Sequence, residues 1–481
     1  MIKSIEFENF RNLNKKYILN ERMNIVFGKN SSGKSNLLDG IKLSFSSITG
    51  EYFKISKSDF INSDDSKVIT IKVHLKEDSI TSLISLKEDG TYECGFIIKI
   101  YKSKNDKYIK KLTLLNGSNV DVDTLREDEY LPSIFEVPFI RVSDLYTEGL
   151  TVGIKNFIEN EKQYKNLASD FRTCVKQNLS NKVDKFKTLC SKFNENIDIE
   201  VSDPKFLDEK VFVVDGTNAH NVNIGSGYKS VANILLNTLN ESHNIIVIDE
   251  LENHLHPQLI RTLLRMLRNT DNTTIIATTH SPVIINEAYI DELIDISGVK
   301  LNIVKQCNRK KLETFMHPGR SELCLADNIV LVEGYTEEML LKKYCILNNK
   351  NWTIVNVAGV MFEPYIEIAS LLNKRIIVIS DNDICLSKNK TKSNRFCNLK
   401  KICDLKHIRL IEIDNTLESD LYKNGYLNDL KSLLRKNEKH KYYYVAKERK
   451  KTEIVQKLID SNLNYDSWHV IREINEEFKN N

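Results

Sequence analysis

The sequence predicts an α/β protein that contains two separate parallel sheets. Strands and helices alternate after Val222, and the same alternation resumes from Ile329 onward. Both segments carry short apolar runs such as IIVI and IVLV, which are typical of strands buried on both faces of a parallel sheet. At 481 residues the chain exceeds the roughly 250 to 300 residues that one hydrophobic core supports, so we expect more than one domain.

The individual elements follow from hydrophobic periodicity, which is 2 for strands and about 3.6 for helices. The opening segment predicts a mixed α/β lobe whose later strands are mostly antiparallel. The predicted strands are 2–8, 24–28, 67–75, 95–115, 244–251, 273–280, 329–332, 352–359, 375–381 and 408–414, and the predicted helices are 35–44, 230–239, 257–268 and 337–347.

Changes in this pattern give the expected domain boundaries. A charged, helical pattern begins near Tyr146, and strands resume near Ile197. We expect the helical insertion to serve self-association or core packing. The predicted order is a first lobe at 1–145, the insertion at 146–205, a second lobe at 206–315, a linker at 316–326 and a C-terminal domain at 327–481.

Composition limits the cellular setting and the partners. Hydrophobic residues make up 41% and charged residues 28% of the chain, which is ordinary soluble usage. No apolar run approaches the roughly 18 residues of a membrane-spanning helix, so we expect a cytoplasmic protein with no membrane partner. The net charge of +3 creates no overall field for nucleic acid, which local basic patches would have to bind.

A glycine-rich loop between a strand and a helix predicts phosphate binding. The segment GKNSSGKS, which runs from Gly28 to Ser35 and includes Asn30, fits the P-loop pattern. Gly28 and Gly33 let backbone N–H groups surround phosphates, while Lys34 and the Ser35 hydroxyl meet the β/γ-phosphates and Mg²⁺. The expected cofactors are therefore ATP and a divalent cation.

Two carboxylates at the end of a buried strand complete the nucleotide chemistry. Asp249 and Glu250 follow the run IIVI directly, at the strand edge where open α/β sheets bind ligands. Asp249 is expected in the Mg²⁺ shell, and Glu250 is expected to position or deprotonate the attacking water. The structural alternative is a pair of helix-capping acids after a core strand.

The segments NFRNL, GKNSSGKSNLL, IDELENHLHP and ATTHSP together resemble the ABC-type ATPase head of the RecF and SMC kind. The resemblance implies a signature loop at 224–230, in which Ser226 and Gly227 complete the ATP site of a partner subunit in a homodimer or higher homo-oligomer. It also implies that His280 contacts the γ-phosphate. The family's Q-loop glutamine is missing, because the first glutamine after the P-loop is Gln163; Asp59 is a candidate replacement.

The C-terminal third places acids at the ends of two further buried strands. Glu333 ends one strand, Glu337 follows four positions later, and Asp381 and Asp383 end the other. Because residues four apart on a helix and two apart on a strand share a face, these four carboxylates are expected to converge. Hard oxygen ligands of this kind suit Mg²⁺ or Mn²⁺. Glu418 is a further acidic candidate, with a helix-start carboxylate as the alternative.

Basic residues surround these acids. Between residues 388 and 409 the sequence contains eight lysines and arginines, including Lys392 and Arg395, but only one aspartate. We expect this basic stretch to bind phosphates. Near the C-terminus, the segment KERKKTEIV offers a lysine that can neutralise the reacting phosphate beside the metals. The alternative for each of these cations is a solvated surface.

The segments Glu333-Gly334 and Asp381-Asn382-Asp383 resemble the E-G and D-x-D motifs of the Toprim fold. An ABC-type head followed by a Toprim domain resembles the overcoming-lysogenisation-defect (OLD) family of ATP-linked nucleases, and the Gabija anti-phage nuclease subunit has the same order. Residue by residue, the resemblance implies metal binding by Glu333, Glu337, Asp381, Asp383 and Glu418. It also implies a catalytic lysine at Lys451 or, less well matched, Lys450.

These features predict an ATP-binding, metal-dependent endonuclease that cleaves DNA, expected to be double-stranded, in anti-phage defence. A helicase or reverse transcriptase is a candidate partner. Two alternatives remain open: a RecF-like DNA-binding ATPase clamp without cleavage, and a Toprim nuclease that cleaves RNA or tRNA.

Overall fold

A computed structural model of the chain describes residues 2–49, 53–76, 83–86, 90–120, 139–141, 183–192, 198–201, 211–214, 226–239, 244–270, 273–301, 319–359, 361–384, 391–427, 434–437, 440–446, 451–460 and 465–479. The chain divides into two compact units, Met1–Asn302 and Ile303–Asn481. No helix within the described ranges is both long and apolar enough to cross a membrane.

The first unit is built mainly from strands. These are β1 Ile2–Glu8, β2 Lys16–Ile18, β3 Met23–Phe27, β4 Ile69–Leu75, β5 Ile84–Leu86, β6 Tyr92–Lys102, β7 Tyr108–Leu114, β8 Phe139–Arg141, β9 Asp198–Val201, β10 Val211–Val214, β11 Ile245–Asp249, β12 Thr274–Thr279 and β13 Leu293–Asp295. The helices are α1 Lys34–Thr49, α2 at 183–191, α3 Ser226–Leu239, α4 Pro257–Arg268 and α5 Pro282–Glu287, with 3₁₀ turns at Lys57–Asp59, Ile61–Ser63 and Ile290–Glu292.

Two sheets enclose the core of the first unit. One is antiparallel, with β2, β1, β4, β6 and β5 in order and β7 also paired with β6; the other is parallel, in the order β13-β3-β12-β11-β8. Helix α1 contributes to a core shared by both sheets: Phe45 meets Phe96 of β6 edge to face at 5.8 Å, and the same cluster includes Val26 of β3 and Ile276 of β12. The P-loop strand and the acidic strand β11 are thus held in one parallel sheet, with β12 between them.

The second unit is a separate parallel α/β layer. Its strands are β14 Asn328–Val332, β15 Thr353–Asn356, β16 Arg375–Asp381, β17 Arg409–Ile413, β18 Leu434–Asn437 and β19 His440–Ala446. Its helices are α6 Gly319–Leu325, α7 Tyr335–Leu347, α8 Phe362–Leu371, α9 Asn394–Leu405, α10 Leu417–Lys423, α11 Lys451–Asp460 and α12 His469–Lys479. The sheet order is β15-β14-β16-β17, with all pairs parallel.

Most predicted elements are present at nearly the predicted bounds. Helix α4 spans the predicted residues because Pro257 occupies its first turn and the His256 side chain accepts a hydrogen bond from the Gln258 backbone N–H. Helix α3 begins at Ser226, four residues before the predicted start. Most of the predicted insertion lies outside the described residues, so its role stays a prediction.

The predicted linker at 316–326 needs a correction. Residues Gly319–Leu325 within it form helix α6, and Leu323 and Cys324 of this helix are buried. The segment MHPGR has a turn-like composition, but the apolar residues that follow it pack into the second unit. The remaining domain bounds are still predictions.

Candidate functional site

The P-loop connects β3 to α1 and holds its lysine inward. Lys34 is buried, and its Nζ donates hydrogen bonds to the carbonyl oxygens of Gly28 at 2.9 Å and Lys29 at 2.8 Å. Burial lowers the pKa of Lys34, while the negative charges of Glu252, Glu250 and Asp249 oppose this shift. The ammonium group therefore lies in the electric field of the acids at the end of β11 and directly after it.

The backbone conformation at position 33 and the nearby Asn12 side chain both favour glycine there. Its φ is +104°, and a Cβ placed there would lie 2.5 Å from the Asn12 side-chain amide. Asn12 donates to the Ser32 carbonyl at 3.0 Å and accepts from Asn36 Nδ2 at 2.8 Å. Asn12, in the NFRNL segment, thus fastens the loop to the first turn of α1, a contact that the sequence motif did not reveal.

Asp59 has structural partners that explain its burial. One carboxylate oxygen accepts from Arg11 Nε at 2.9 Å, and the other accepts from the backbone N–H and hydroxyl of Ser56 at 2.8 and 2.9 Å. Its carboxylate anchors the 3₁₀ turn Lys57–Asp59 to the NFRNL segment. The expectation that Asp59 replaces the missing glutamine gains no support from these contacts.

Ser35 and Asp249 contact each other, as two ligands of one Mg²⁺ ion would have to. The Ser35 hydroxyl lies 3.3 Å from Asp249 Oδ1, which also accepts from Thr278 Oγ1 at 2.6 Å. A hydroxyl and a carboxylate are the oxygen ligands that Mg²⁺ takes beside a nucleotide. These residues therefore fit a nucleotide-bound Mg²⁺, while Asn30 lies exposed at the loop tip.

Glu250 turns away from Asp249, as expected for adjacent side chains. Its φ is +53°, its backbone N–H donates to Thr278 Oγ1 at 2.9 Å, and its Oε2 accepts from Asn253 Nδ2 at 2.5 Å. The next acid, Glu252, accepts from Thr279 Oγ1 and from the His280 backbone N–H, both at 2.8 Å. Thr278 and Glu252 thus link the acidic strand to β12.

His280 follows β12 and faces Glu252. Its Nδ1 lies 3.4 Å from Glu252 Oε1, and its side chain is 41% exposed, so the ring is free to approach a ligand. Ser226 and Gly227 begin α3, where a Cβ on Gly227 would lie 2.5 Å from the His254 carbonyl oxygen. The close packing explains the glycine, and the role of both residues in a partner's site stays a prediction.

Replacing Thr278 by valine is expected to lower the free energy of unfolding of the first unit by about 1–3 kcal/mol. The change leaves the partly buried Glu250 N–H without its acceptor and Asp249 Oδ1 without one donor. Urea denaturation followed by circular dichroism measures the effect. Thr262→Val is the control, because the Thr262 hydroxyl donates within its own helix, to the Gln258 carbonyl oxygen 3.2 Å away. Equal stability of the two variants would contradict the proposed link.

Five carboxylates in the second unit lie close enough for four of them to act electrostatically on the fifth, Asp381. Glu333 follows β14, Glu337 lies in the first turn of α7, Asp381 ends β16, Asp383 follows it, and Glu418 is buried in the first turn of α10. Burial raises the pKa of Asp381 well above its usual range, and the negative charges of the other four raise it further. The acidic cluster, as we call these five residues, therefore unites every acid that the sequence placed there.

The acidic cluster has an orphaned oxygen that fits a cation. Asp381 Oδ1 is buried and has no hydrogen-bond partner, whereas Glu333 Oε2 accepts from Ser380 Oγ at 3.3 Å. A buried unpaired carboxylate oxygen is costly unless a cation or donor meets it. The donor set fits a hard divalent cation, although no three acids, histidines or cysteines of the described residues are arranged as a preformed metal cage.

An arginine explains the present arrangement of the cluster. Arg395 pairs with Glu333 through Nη1, and its Nη2 donates to Asp383 Oδ2 at 2.9 Å. Lys392 also pairs with an acid, Glu412 Oε2, at 2.6 Å. These two members of the basic run therefore pair with nearby carboxylates, and their contact with phosphates stays a prediction.

The D-x-D segment is a turn rather than extended chain. Strand β16 ends at Asp381, and Asp383 has a φ of +53°. Asn382 is buried, its Oδ1 accepts from the backbone N–H groups of Ile384 at 3.2 Å and Asn415 at 2.8 Å, and these bonds hold the turn. The two aspartates share a site because of this turn, and not because of strand alternation as predicted.

The remaining predicted residues lie at the margin of the described structure. Lys451 begins α11, but its side chain lies outside the described residues, as does all of Lys450. Both stay predictions.

Comparison with known proteins identifies both units. The family described as "AAA domain, putative AbiEii toxin, Type IV TA system" matches residues 23–286, and the family described as "Overcoming lysogenization defect protein-like, TOPRIM domain" matches residues 325–383. The first match covers more than half of the chain.

Two relatives and one solved structure are similar to parts of this chain. Endonuclease GajA of Bacillus cereus (strain HuB5-5) is 28% identical over 208 residues, which cover 35% of this chain and 30% of that protein. Endonuclease GajA of Bacillus cereus (strain VD045) is 21% identical over 450 residues, 80% of this chain and 76% of that protein. The crystal structure of the SmcHead bound to the C-winged helix domain of ScpA has a TM-score of 0.45 at 14% identity, covering 61% of this chain and 94% of that one.

The family matches confirm the predicted fold class of an ATPase head followed by a Toprim domain. Domains of these two kinds imply the use of a nucleotide and of a divalent metal in general. The chain belongs to the AAA-domain family matched at 23–286, and this ATPase domain is followed by an overcoming-lysogenization-defect-like Toprim domain at 325–383.

Proposed function

We propose that the chain is a nucleotide-regulated endonuclease that uses Mg²⁺ or Mn²⁺ to cleave double-stranded DNA, acting in the cytoplasm as a homodimer in anti-phage defence. The observation that carries this proposal is the buried, unpaired Oδ1 of Asp381, whose carboxylate is also under the influence of four neighbouring acids. The relatives named as endonucleases support it, and the chain spans 30% and 76% of their lengths.

The acidic cluster is suited to phosphodiester hydrolysis. Divalent cations bound there supply an activated water and stabilise the charge on the attacking and leaving oxygens. Glu333, Asp381 and Asp383 hold such cations from the edge of one rigid sheet, since β14 and β16 are neighbours. Glu337 and Glu418 add charge from two helix N-termini, where the helix dipole favours carboxylates. Lys451 is proposed to neutralise the phosphate.

The first unit is suited to regulate this reaction through a nucleotide. Lys34 binds the β/γ-phosphates, Ser35 and Asp249 hold the Mg²⁺, and Glu250 orients the attacking water. Ser226 and Gly227 are proposed to complete the site of the partner subunit, and His280 to approach the γ-phosphate. Nucleotide occupancy would then set the association of two heads, and through it access to the nuclease centre.

A matrix of metals, nucleotides and substrates tests the proposal. Supercoiled plasmid, linear duplex DNA, single-stranded DNA and tRNA are each incubated with Mg²⁺ or Mn²⁺, with and without ATP. We expect cleavage of duplex DNA that requires the metal and changes with ATP. Cleavage of tRNA alone would replace DNA by RNA as the substrate. Absence of cleavage in every combination would contradict the proposed nuclease and favour a DNA-binding clamp.

A further inference from the structure

The guanidinium of Arg395 lies where the acidic cluster needs positive charge. Besides its ion pairs with Glu333 and Asp383, it lies 3.4 Å from the Asp381 carbonyl oxygen and 3.5 Å from the Gly359 carbonyl oxygen. One side chain thus joins the ends of β14 and β16 and the turn that follows β16. These are the segments whose carboxylates repel one another without a cation.

The backbone of Arg395 is held in place by α9, whereas its side chain can adopt other rotamers. It lies in the first turn of α9, whose start is capped by the Ser393 hydroxyl accepting from the Phe396 N–H at 3.2 Å. Phe396 and Leu399 are buried and anchor the helix. The Arg395 side chain is 28% exposed, so other rotamers toward solvent are open to it without unfolding the helix.

We infer that Arg395 is a positioning residue that stands in for the divalent cation: it holds Glu333 and Asp383 together in the metal-free protein, and metal uptake displaces it. This inference rests on the proposed metal-dependent function. It also accounts for the lack of a preformed cage among the described acids, because two of them are engaged by the guanidinium.

Displacement predicts an unusual effect of substitution. In Arg395→Ala the cation no longer competes with a guanidinium, so Mn²⁺ is expected to bind about tenfold more tightly, which is about 1.4 kcal/mol. Without metal, the same variant is expected to have a lower melting temperature, because the carboxylates lose their counter-charge. Saturating Mn²⁺ is expected to abolish that difference. Arg395→Lys, which keeps the charge but not the fork, should have an intermediate affinity.

Calorimetric titration with MnCl₂ and thermal unfolding with and without Mn²⁺ provide the test on the full chain. Arg409→Ala is the matched control, since it removes an exposed ion pair with Glu473 in the same unit and should leave Mn²⁺ affinity unchanged.

Two results overturn the inference. One is Mn²⁺ binding by Arg395→Ala that is equal to or weaker than that of wild type; the other is a stability deficit that persists at saturating Mn²⁺. If Arg395→Ala does not fold, Arg395→Lys decides, and an affinity no tighter than wild type overturns the inference. Failure of the proposed metal site gives a different result from failure of the inference on Arg395. In that case, neither the wild type nor any variant binds Mn²⁺.

Discussion

Asp381→Asn is expected to reduce metal-dependent cleavage by about 10³-fold or more, the size of effect seen when one preorganised electrostatic group is lost from an active site. Asparagine has nearly the same volume but no negative charge, so we expect the fold to be kept while a proposed metal ligand is lost. Plasmid nicking and linearisation, timed at saturating Mg²⁺ or Mn²⁺, measure the loss.

The same substitution has a second, opposite effect on stability. Burial and the neighbouring acids raise the pKa of Asp381, so folding favours its protonated form. The free-energy cost of holding the ionised Asp381 carboxylate in the folded protein is absent below the pKa of this residue in the unfolded chain. It grows as the pH rises through the pKa of the residue in the folded protein. Removing the charge should therefore stabilise the metal-free protein at high pH. Wild type, but not Asp381→Asn, should gain stability from Mn²⁺.

Asp404→Asn is the matched control, because Asp404 is exposed on α9 of the same unit. It should change neither cleavage nor the stabilisation by Mn²⁺. Cleavage by Asp381→Asn within a few-fold of wild type would remove Asp381 from the reaction. An unchanged Mn²⁺ response with lost cleavage would instead separate metal binding from this residue.

The sequence predicted the meeting of Glu333 and Asp381 for a sound physical reason. Both residues follow buried strands, and the carboxyl ends of parallel strands lie at one edge of a sheet. The structure places β14 directly beside β16, with Leu331 opposite Val378. Likewise, the P-loop and the acidic strand β11 belong to one sheet. The position of these acids could be predicted because it depends only on where each buried strand ends.

Features that depend on residues far apart in the sequence could not be predicted from it. The turn at Asp383 relies on Asn382 bonding the Asn415 backbone, 33 residues later. The role of Thr278 depends on its contact with Asp249, 29 residues earlier. Arg395 looked like one more member of a phosphate-binding run, and only its tertiary position shows that it pairs with acids. Charge patterns state which residues are basic, but not which partner each one meets.

Lys34→Ala is expected to weaken ATP binding by about 10- to 100-fold, since hydrogen bonds to charged groups contribute about 1.5–3 kcal/mol. The buried ammonium now bonds the Gly28 and Lys29 carbonyls, contacts that it can exchange for phosphate oxygens. Binding of a fluorescent ATP analogue, titrated to saturation in the presence of Mg²⁺, measures the affinity. Cleavage assays on the same preparation should show rates with and without ATP that no longer differ.

Lys54→Ala is the control for this experiment, because Lys54 is exposed in the same unit outside the P-loop. It should retain both ATP affinity and the nucleotide dependence of cleavage. Retained ATP regulation in Lys34→Ala would place the nucleotide sensor elsewhere. Loss of all cleavage in Lys34→Ala, with Mn²⁺ uptake intact, would mean that the nucleotide is obligatory for the nuclease rather than a modulator. The outcome therefore decides how the first unit controls the acidic cluster, because Lys34 and the five carboxylates belong to different units of the chain.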